Sequence, residues 1–328
     1  MNYRVFCTLF LFSLMGLGLG ESNCEAQTVF FQGAELQLGS GYRSAELDWN
    51  IAHPSGSPDV LSELEWDELD IFQTEAKGQT WFGSAKWPKL SLYLKGSAAY
   101  GWVVNGDNRD SDYAGNNRSS EFSRSENCGD GGNTLDLSIA AGPQIKLWQG
   151  KLAMAFLVGW SYHEQNLEIS DGQQTLRDAG LAASIGANPP PAVGPISGLD
   201  SSYDTKWWGP WLGTDLTWQL NERATLGGAF AWHFADYEAK ADWNLRDDLA
   251  HPVSFRHYAN GHGLTLGLGL EYQLSDTWLL ELSYDYQDWQ ADDGNSYSYA
   301  AGGGRSKTRL NEVNWRSHST LLSLGYQF

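Results

Sequence analysis

The sequence predicts an all-β fold, a ten-stranded antiparallel transmembrane β-barrel with short periplasmic turns and long extracellular loops. Three observations predict it. Apolar and polar residues alternate with a period of two through most of the chain, as in strands with one apolar face. Short and long connections between these segments also alternate, which is typical of outer-membrane barrels. The number of segments is even, so antiparallel strands can close without a free edge.

The ten segments follow one another to the last residue of the chain. In the final segment Leu322, Leu324, Tyr326 and Phe328 share one face. The second segment alternates least and is assigned as a strand because its neighbours require one. In order, the segments lie at 36–38, 64–81, 90–100, 135–145, 152–162, 208–218, 226–234, 264–272, 278–286 and 322–328.

The connections predict which end of the barrel faces which side. Short ones contain residues 148–150, 221–223 and 275–277, and long ones run over 47–60, 104–133, 168–203, 243–255 and 291–308. Aromatic residues at segment ends, such as Trp218 and Trp278, predict that the 16 Trp lie in two interfacial girdles. A soluble sandwich or barrel also alternates and is the competing interpretation.

Composition agrees with a barrel and excludes other classes. The mean hydropathy of −0.41 excludes a bundle of apolar spanning helices but fits half-polar strands with hydrophilic loops. With 40 acidic and 21 basic residues, the chain has a formal net charge of −19, which argues against a nucleic-acid partner. An aromatic content of 13% argues against disorder.

The N-terminus reads as an export signal. Arg4 supplies a positive start, residues 5–20 are largely apolar, and small residues precede a predicted cut after Ala26. We therefore predict a signal peptide at 1–26, a barrel at 27–328 and localisation in the outer membrane of a Gram-negative bacterium. An uncleaved anchor and a lipoprotein cut before Cys24 are the alternatives. The mature chain keeps Cys128 alone, so no internal disulfide framework is expected.

One acidic pair stands out in the second long connection. Asp110 and Asp112 are two residues apart, so on an extended segment both side chains point the same way. Such a pair can hold a water molecule or share one proton. A solvated acidic loop is the plainer interpretation of the same residues.

These residues sit in a pattern that resembles the omptin family of outer-membrane aspartyl proteases, which are ten-stranded barrels. SELEW at 62–66 and GSAAYGW at 96–102 look like the second and third strands of that family, and LGGAF at 226–230 looks like its seventh. Asp110 and Asp112, followed by Tyr113, are similar to the Asp-x-Asp-aromatic pair of the family. The resemblance implies a water, activated by this pair and an opposed His–Asp dyad, that attacks a peptide bond beside a basic residue.

The resemblance also implies where the dyad would lie. Counting without gaps from Leu226 brings the dyad onto Asp242 and Asn244, and the acid that binds a basic substrate residue onto Lys240. The implied catalytic positions are thus Asp110, Asp112 and Asp242. Asn244 at the histidine position cannot take a proton.

Two histidines lie close enough in the sequence to replace the missing one. These are His251 and His257, both shortly after the implied dyad.

A second resemblance is more local. GYR at 41–43, LDWNIA at 47–52 and VLSEL at 60–64 look like the N-terminal signature of the porin-like outer-membrane proteins of environmental chlamydiae. That resemblance implies a porin-like barrel without protease chemistry.

Together the sequence favours an omptin-like barrel that lacks the dyad histidine and acts as a surface structural or interaction protein rather than an enzyme. The alternatives are an active endopeptidase that uses Asp110, Asp112 and Asp242 with a nearby histidine, and a narrow porin. Expected partners are outer-membrane lipid, lipopolysaccharide and an extracellular protein or peptide at the loops. We predict no nucleic acid, no cofactor and no metal.

Overall fold

The computed structural model describes residues 29–328, so the predicted signal at 1–26 lies outside the described residues. One short helix, α1 (Ala179–Ser184), lies between two strands. In this part of the chain no helix is long and apolar enough to cross a membrane. The strands are β1 (Val29–Ile51), β2 (Ser62–Ser84), β3 (Leu90–Gly115), β4 (Ser119–Cys128), β5 (Gly132–Leu147), β6 (Leu152–Arg177), β7 (Gly194–Gln219), β8 (Ala224–Asp242), β9 (Phe255–Gln273), β10 (Trp278–Tyr299) and β11 (Arg305–Gln327).

The strands form one closed antiparallel sheet. Each pairs with its neighbours in sequence, except that β4 and β5 both pair with β3 and β6, and β1 closes the ring by pairing with β11 from Glu35 opposite Gln327 to Ile51 opposite Leu310. Closure leaves no edge strand with unpaired backbone groups, which a lipid environment requires. The predicted all-β transmembrane barrel is confirmed.

The barrel has eleven strands rather than the predicted ten, because one position in the wall is interrupted. β3 pairs with β5 over its first half and with β4 over its last. β6 does the same on the other side. β4 and β5 therefore lie end to end in one position, separated at residues 129–131. A run of glycines permits the break, since Gly132 has a φ of +107°.

The strands run far beyond the segments predicted from the sequence. Most of 104–133, predicted as a loop, is β3 and β4, and β10 and β11 leave only 300–304 between them. A strand of 23 residues is about 76 Å long, whereas the apolar band of a barrel is about 25 Å tall. More than half of each long strand therefore stands above the membrane. The short turns at 148–150, 221–223 and 275–277 lie at the opposite end, as predicted.

Inside the extracellular half, large side chains form an aromatic core. Its members are completely or almost completely buried, and it corrects the expectation that all Trp lie in girdles. Some of them do lie on the outer surface, such as Trp148 and Trp218. The aromatic core comprises Trp49, Trp66, Tyr203, Trp207, Tyr237, Phe255, Trp289 and Trp315, with aliphatic neighbours such as Leu64, Leu69 and Val313.

Below the aromatic core, the membrane half encloses a polar chamber of about 510 Å³. Along each strand of its wall, inward polar side chains alternate with outward apolar ones, for example Leu268, Leu282 and Leu324. The charged residues lining the polar chamber are Glu35, Glu75, Asp136, Asp215, Glu271, Glu281, Asp285, Arg43, Lys77 and Lys95.

Candidate functional site

The predicted acidic pair lies on the inner face of the barrel, above the apolar band. Asp110 is directly opposite Leu64 of β2, which is buried in the aromatic core, and Asp112 is opposite Ser62. The register between β2 and β3 shifts between Asp67 and Ile71, where Glu68 has a φ of +52°. On β3 a second shift, between Val103 and Asn105, moves the inward positions from odd to even numbers and so turns both carboxylates inward.

Burial and mutual repulsion keep protons on this pair. Burial raises the pKa of Asp110 well above its usual range, and the neighbouring charge of Asp112 raises it further. Burial also raises the pKa of Asp112, to about 6, although hydrogen bonds from Ser62 and Ser123 oppose the shift. Asp110 Oδ1 is buried without a hydrogen-bond partner. Both carboxyl groups therefore hold their protons to a higher pH than a free aspartic acid does.

A cation from the loop at 243–254 lies near the pair. The positive charge of Arg246 lowers the pKa of both Asp110 and Asp112, against the effect of burial. Its guanidinium is held by Asp248 through two hydrogen bonds of 2.8 and 2.9 Å. Sequence reasoning missed Arg246. The sequence offered one signal, because Arg246 is the single arginine of a long connection that also contains Asp247 and Asp248.

The other predicted residue, Asp242, lies on the opposite face of the wall. Its neighbour Ala241 is buried in the aromatic core, and side chains alternate along β8, so Asp242 and Lys240 point outward. Lys240 there binds Asp204 at 3.0 Å. The structure thus brings Asp110 and Asp112 together on the inside and leaves Asp242 apart from them on the outside.

One of the two candidate histidines does contact Asp242. His251 Nδ1 lies 2.6 Å from Asp242 Oδ1, and this hydrogen bond raises the pKa of the imidazole. His257 lies instead within the aromatic core, where its Nδ1 is 2.9 Å from the hydroxyl of Tyr203. Only His251 can therefore act with Asp242 among these two.

Asn244, at the position implied for the dyad histidine, has a structural contact. Its side-chain oxygen accepts hydrogen bonds from the backbone N–H of Asp200 and the hydroxyl of Ser201, and its amide donates to the carbonyl of Gly198. These bonds tie the end of β8 to the start of β7. An amide suits this role because it both donates and accepts.

Comparison with known proteins now places the chain. The profile of the Protochlamydia outer membrane protein family, Pom, matches residues 37–328. This chain belongs to that family. The Pom chain is therefore an integral protein of the Gram-negative outer membrane, embedded in its lipid, and the localisation and the resemblance to chlamydial barrels are confirmed.

One solved structure gives the same architecture. The outer membrane protease OmpT of Escherichia coli superposes with a TM-score of 0.71 over 93% of this chain and 99% of its own, at 11% identity. OprG of Pseudomonas aeruginosa reaches a TM-score of 0.36 at 10% identity, over 90% of this chain and 97% of its own. No curated protein sequence matches the Pom chain. The resemblance to the omptin fold is confirmed, and at 11% identity it concerns the fold alone.

Proposed function

We propose that this Pom chain is a closed, non-conducting barrel that serves as a structural or interaction protein of the cell surface. The observation that carries the proposal is the aromatic core, whose buried side chains fill the barrel interior above the polar chamber. Trp66 and Trp207 are both fully buried in the space that a porin leaves open to water. Trp66 stacks on Tyr203, and Trp207 packs against Tyr237. The extracellular wall of long strands is the surface presented to lipopolysaccharide and to protein partners.

Proteolysis of the omptin type is disfavoured by the geometry around the acids. A water between a dyad and an opposed acidic pair needs all of these groups in one cleft. Asp110 and Asp112 face inward, where the positive charge of Arg246 acts on both. Asp242 points the other way.

The hydrogen bond between His251 and Asp242 favours a second candidate function, an endopeptidase with a rearranged dyad. The exposed imidazole can act as a base near neutral pH.

A peptidase assay separates the two. The protein, refolded with lipopolysaccharide, is offered a fluorogenic dibasic peptide beside an active omptin as positive control. We expect no cleavage. Cleavage that is lost in both Asp112→Ala and His251→Ala would establish the peptidase and overturn the structural proposal.

A planar-bilayer recording tests closure independently of proteolysis. We expect no steady conductance steps from the wild-type chain. Steps that persist in repeated insertions would favour the narrow porin. The matched variant carries Trp66→Ala and Trp207→Ala together, which removes two large side chains from the aromatic core and is expected to raise conductance if the barrel stays folded.

A further inference from the structure

The polar chamber carries more negative charge than its own cations balance. Seven acidic side chains line it against three cationic ones. Charges inside a barrel wall surrounded by lipid are poorly screened, so an excess of four negative charges is costly unless protons or bound cations offset it. Arg43 pairs with Asp136, and Lys95 pairs with Asp215 at 2.8 Å. Lys77 contacts both Glu75 at 3.4 Å and Glu281 at 3.7 Å.

Three chamber acids, Glu35, Glu271 and Asp285, make no ion pair within the described part of the chain, and Glu281 is held only by Lys77 at 3.7 Å. Glu271, Glu281 and Asp285 lie on the neighbouring strands β9 and β10. Glu271 of β9 is directly opposite Glu281 of β10, and like charges in that relation repel. Asp285 lies four residues further along β10, about 13 Å away along the strand. These three carboxylates form a line in the chamber wall rather than a single cluster.

Two glycines make room for this line. A Cβ atom at Gly269 would lie 2.4 Å from Glu281 Oε1, and one at Gly267 would lie 2.9 Å from Asp285 Oδ1. Both glycines belong to the regular strand β9, which gains nothing from them in stability. β9 therefore has no side chain at the two positions beside these carboxylates, Gly267 and Gly269.

Several buried oxygens in the chamber accept no hydrogen bond from the described residues of the protein. Gln37 Oε1, Gln73 Oε1 and Ser283 Oγ have no partner, although these residues are only 3–4% exposed. Glu281 Oε2 also lacks a hydrogen bond. The chamber nitrogens without a partner belong to Arg43 and His163, which already hold Asp136. A ligand rich in N–H donors and positive charge satisfies both the oxygens and the surplus acids.

We propose that the polar chamber binds a linear aliphatic polyamine, with one ammonium group between Glu271 and Glu281 and another at Asp285. A single inorganic ion cannot contact carboxylates that are spread over about 13 Å of strand, whereas a flexible chain with several ammonium groups can. Each ammonium group offers several donors to the unpartnered oxygens. Because the aromatic core closes the extracellular side, the ligand enters from the periplasmic end.

Isothermal titration of spermidine into the full-length barrel in detergent micelles tests the site. We expect saturable binding of about one molecule per chain. The double substitution Glu281→Gln with Asp285→Asn is expected to weaken binding at least about tenfold. Asp288→Asn is the matched control, since Asp288 is on the same strand but on its outward face, and its affinity should equal that of the wild type.

The other outcomes are equally decisive. No saturable binding by the folded wild-type chain, or equal loss in Asp288→Asn, overturns the proposal. Mg²⁺ that competes with spermidine at equal concentration assigns the chamber to inorganic cations instead. If the double variant does not fold, as judged by heat-modifiable gel migration, the single substitution Glu271→Gln replaces it. It removes the charge opposite Glu281, and unchanged affinity in that variant rejects the site.

Discussion

The aromatic core and the polar chamber occupy the same barrel, on the same strands, yet their compositions are opposite. On β11 the outward Leu322 and Leu324 face lipid while Ser319 lines the chamber, but further up Arg316 points outward and Trp315 is buried inside. In lipid the apolar side must be outside, and in water it must be inside. The strands thus change their environment, and not their alternation, where they leave the membrane.

The strongest way to break this comparison is to remove a side chain from the aromatic core. Trp66→Ala should lower the free energy of unfolding by about 3–5 kcal/mol, because the core leaves a cavity that it cannot refill. Urea unfolding of the protein in lipid vesicles measures it. Trp87→Ala, in the exposed turn between β2 and β3, is the control and should change stability by at most about 0.5 kcal/mol. Equal losses would mean that the extracellular half has no core of its own.

Ion pairs stabilise the polar chamber, whereas apolar packing stabilises the aromatic core. Asp136→Asn should cost about 3 kcal/mol, because it leaves the buried guanidinium of Arg43 without a carboxylate. The double variant Arg43→Met with Asp136→Asn removes the stranded charge and should recover most of the loss in the same unfolding assay. A double variant as unstable as the single one would show that the ion pair is not what the chamber depends on.

A smaller, pH-dependent effect on stability is expected at Asp110 and Asp112, the rim acids next to the aromatic core. The pKa of Asp112 is raised from 3.8 to about 6, so its stabilising contribution is present below about pH 4 and is lost as the pH rises through 6. Asp112→Asn mimics the protonated form, and should stabilise the protein by about 1–3 kcal/mol at pH 8 but not near pH 4.

Thermal unfolding at several pH values follows this difference. Asp236→Asn, on the outward face of β8, is the matched control. If the two variants gave parallel curves between pH 4 and pH 8, the buried rim acids would not be the source.

The membrane half of the barrel could be predicted from the sequence because lipid enforces strict alternation there. The positions of Leu266, Leu268 and Leu270 face lipid and must all be apolar, so their alternation by itself predicts a strand. Above the membrane both faces carry mixed residues. Leu47, Trp49 and Ile51 do alternate with polar residues, yet 47–60 was predicted as a loop, so the aromatic core and the length of the strands were missed.

The candidate site was predictable only in part, for a related reason. Spacing alone gives two residues the same direction, and Asp110 and Asp112 do share the inner face. Counting along β8 from Leu226 fixes the parity of Asp242, and Leu226 points to lipid, so every even position after it on this strand points outward. The path of the loop that brings His251 back to Asp242 is set by tertiary contacts that no local pattern encodes.

The long extracellular strands also constrain how this surface can change during evolution. An inserted residue in a wall strand would turn every later side chain from the core to water unless a bulge absorbs it, as at Glu68, so the wall varies mainly by substitution at outward positions. Changes in length are easiest in the connections at 52–61, 116–118, 178–193, 243–254 and 300–304. An antibody or phage that recognises the wall must therefore read side chains from several adjacent strands at once, and a linear peptide of this chain would not reproduce that epitope.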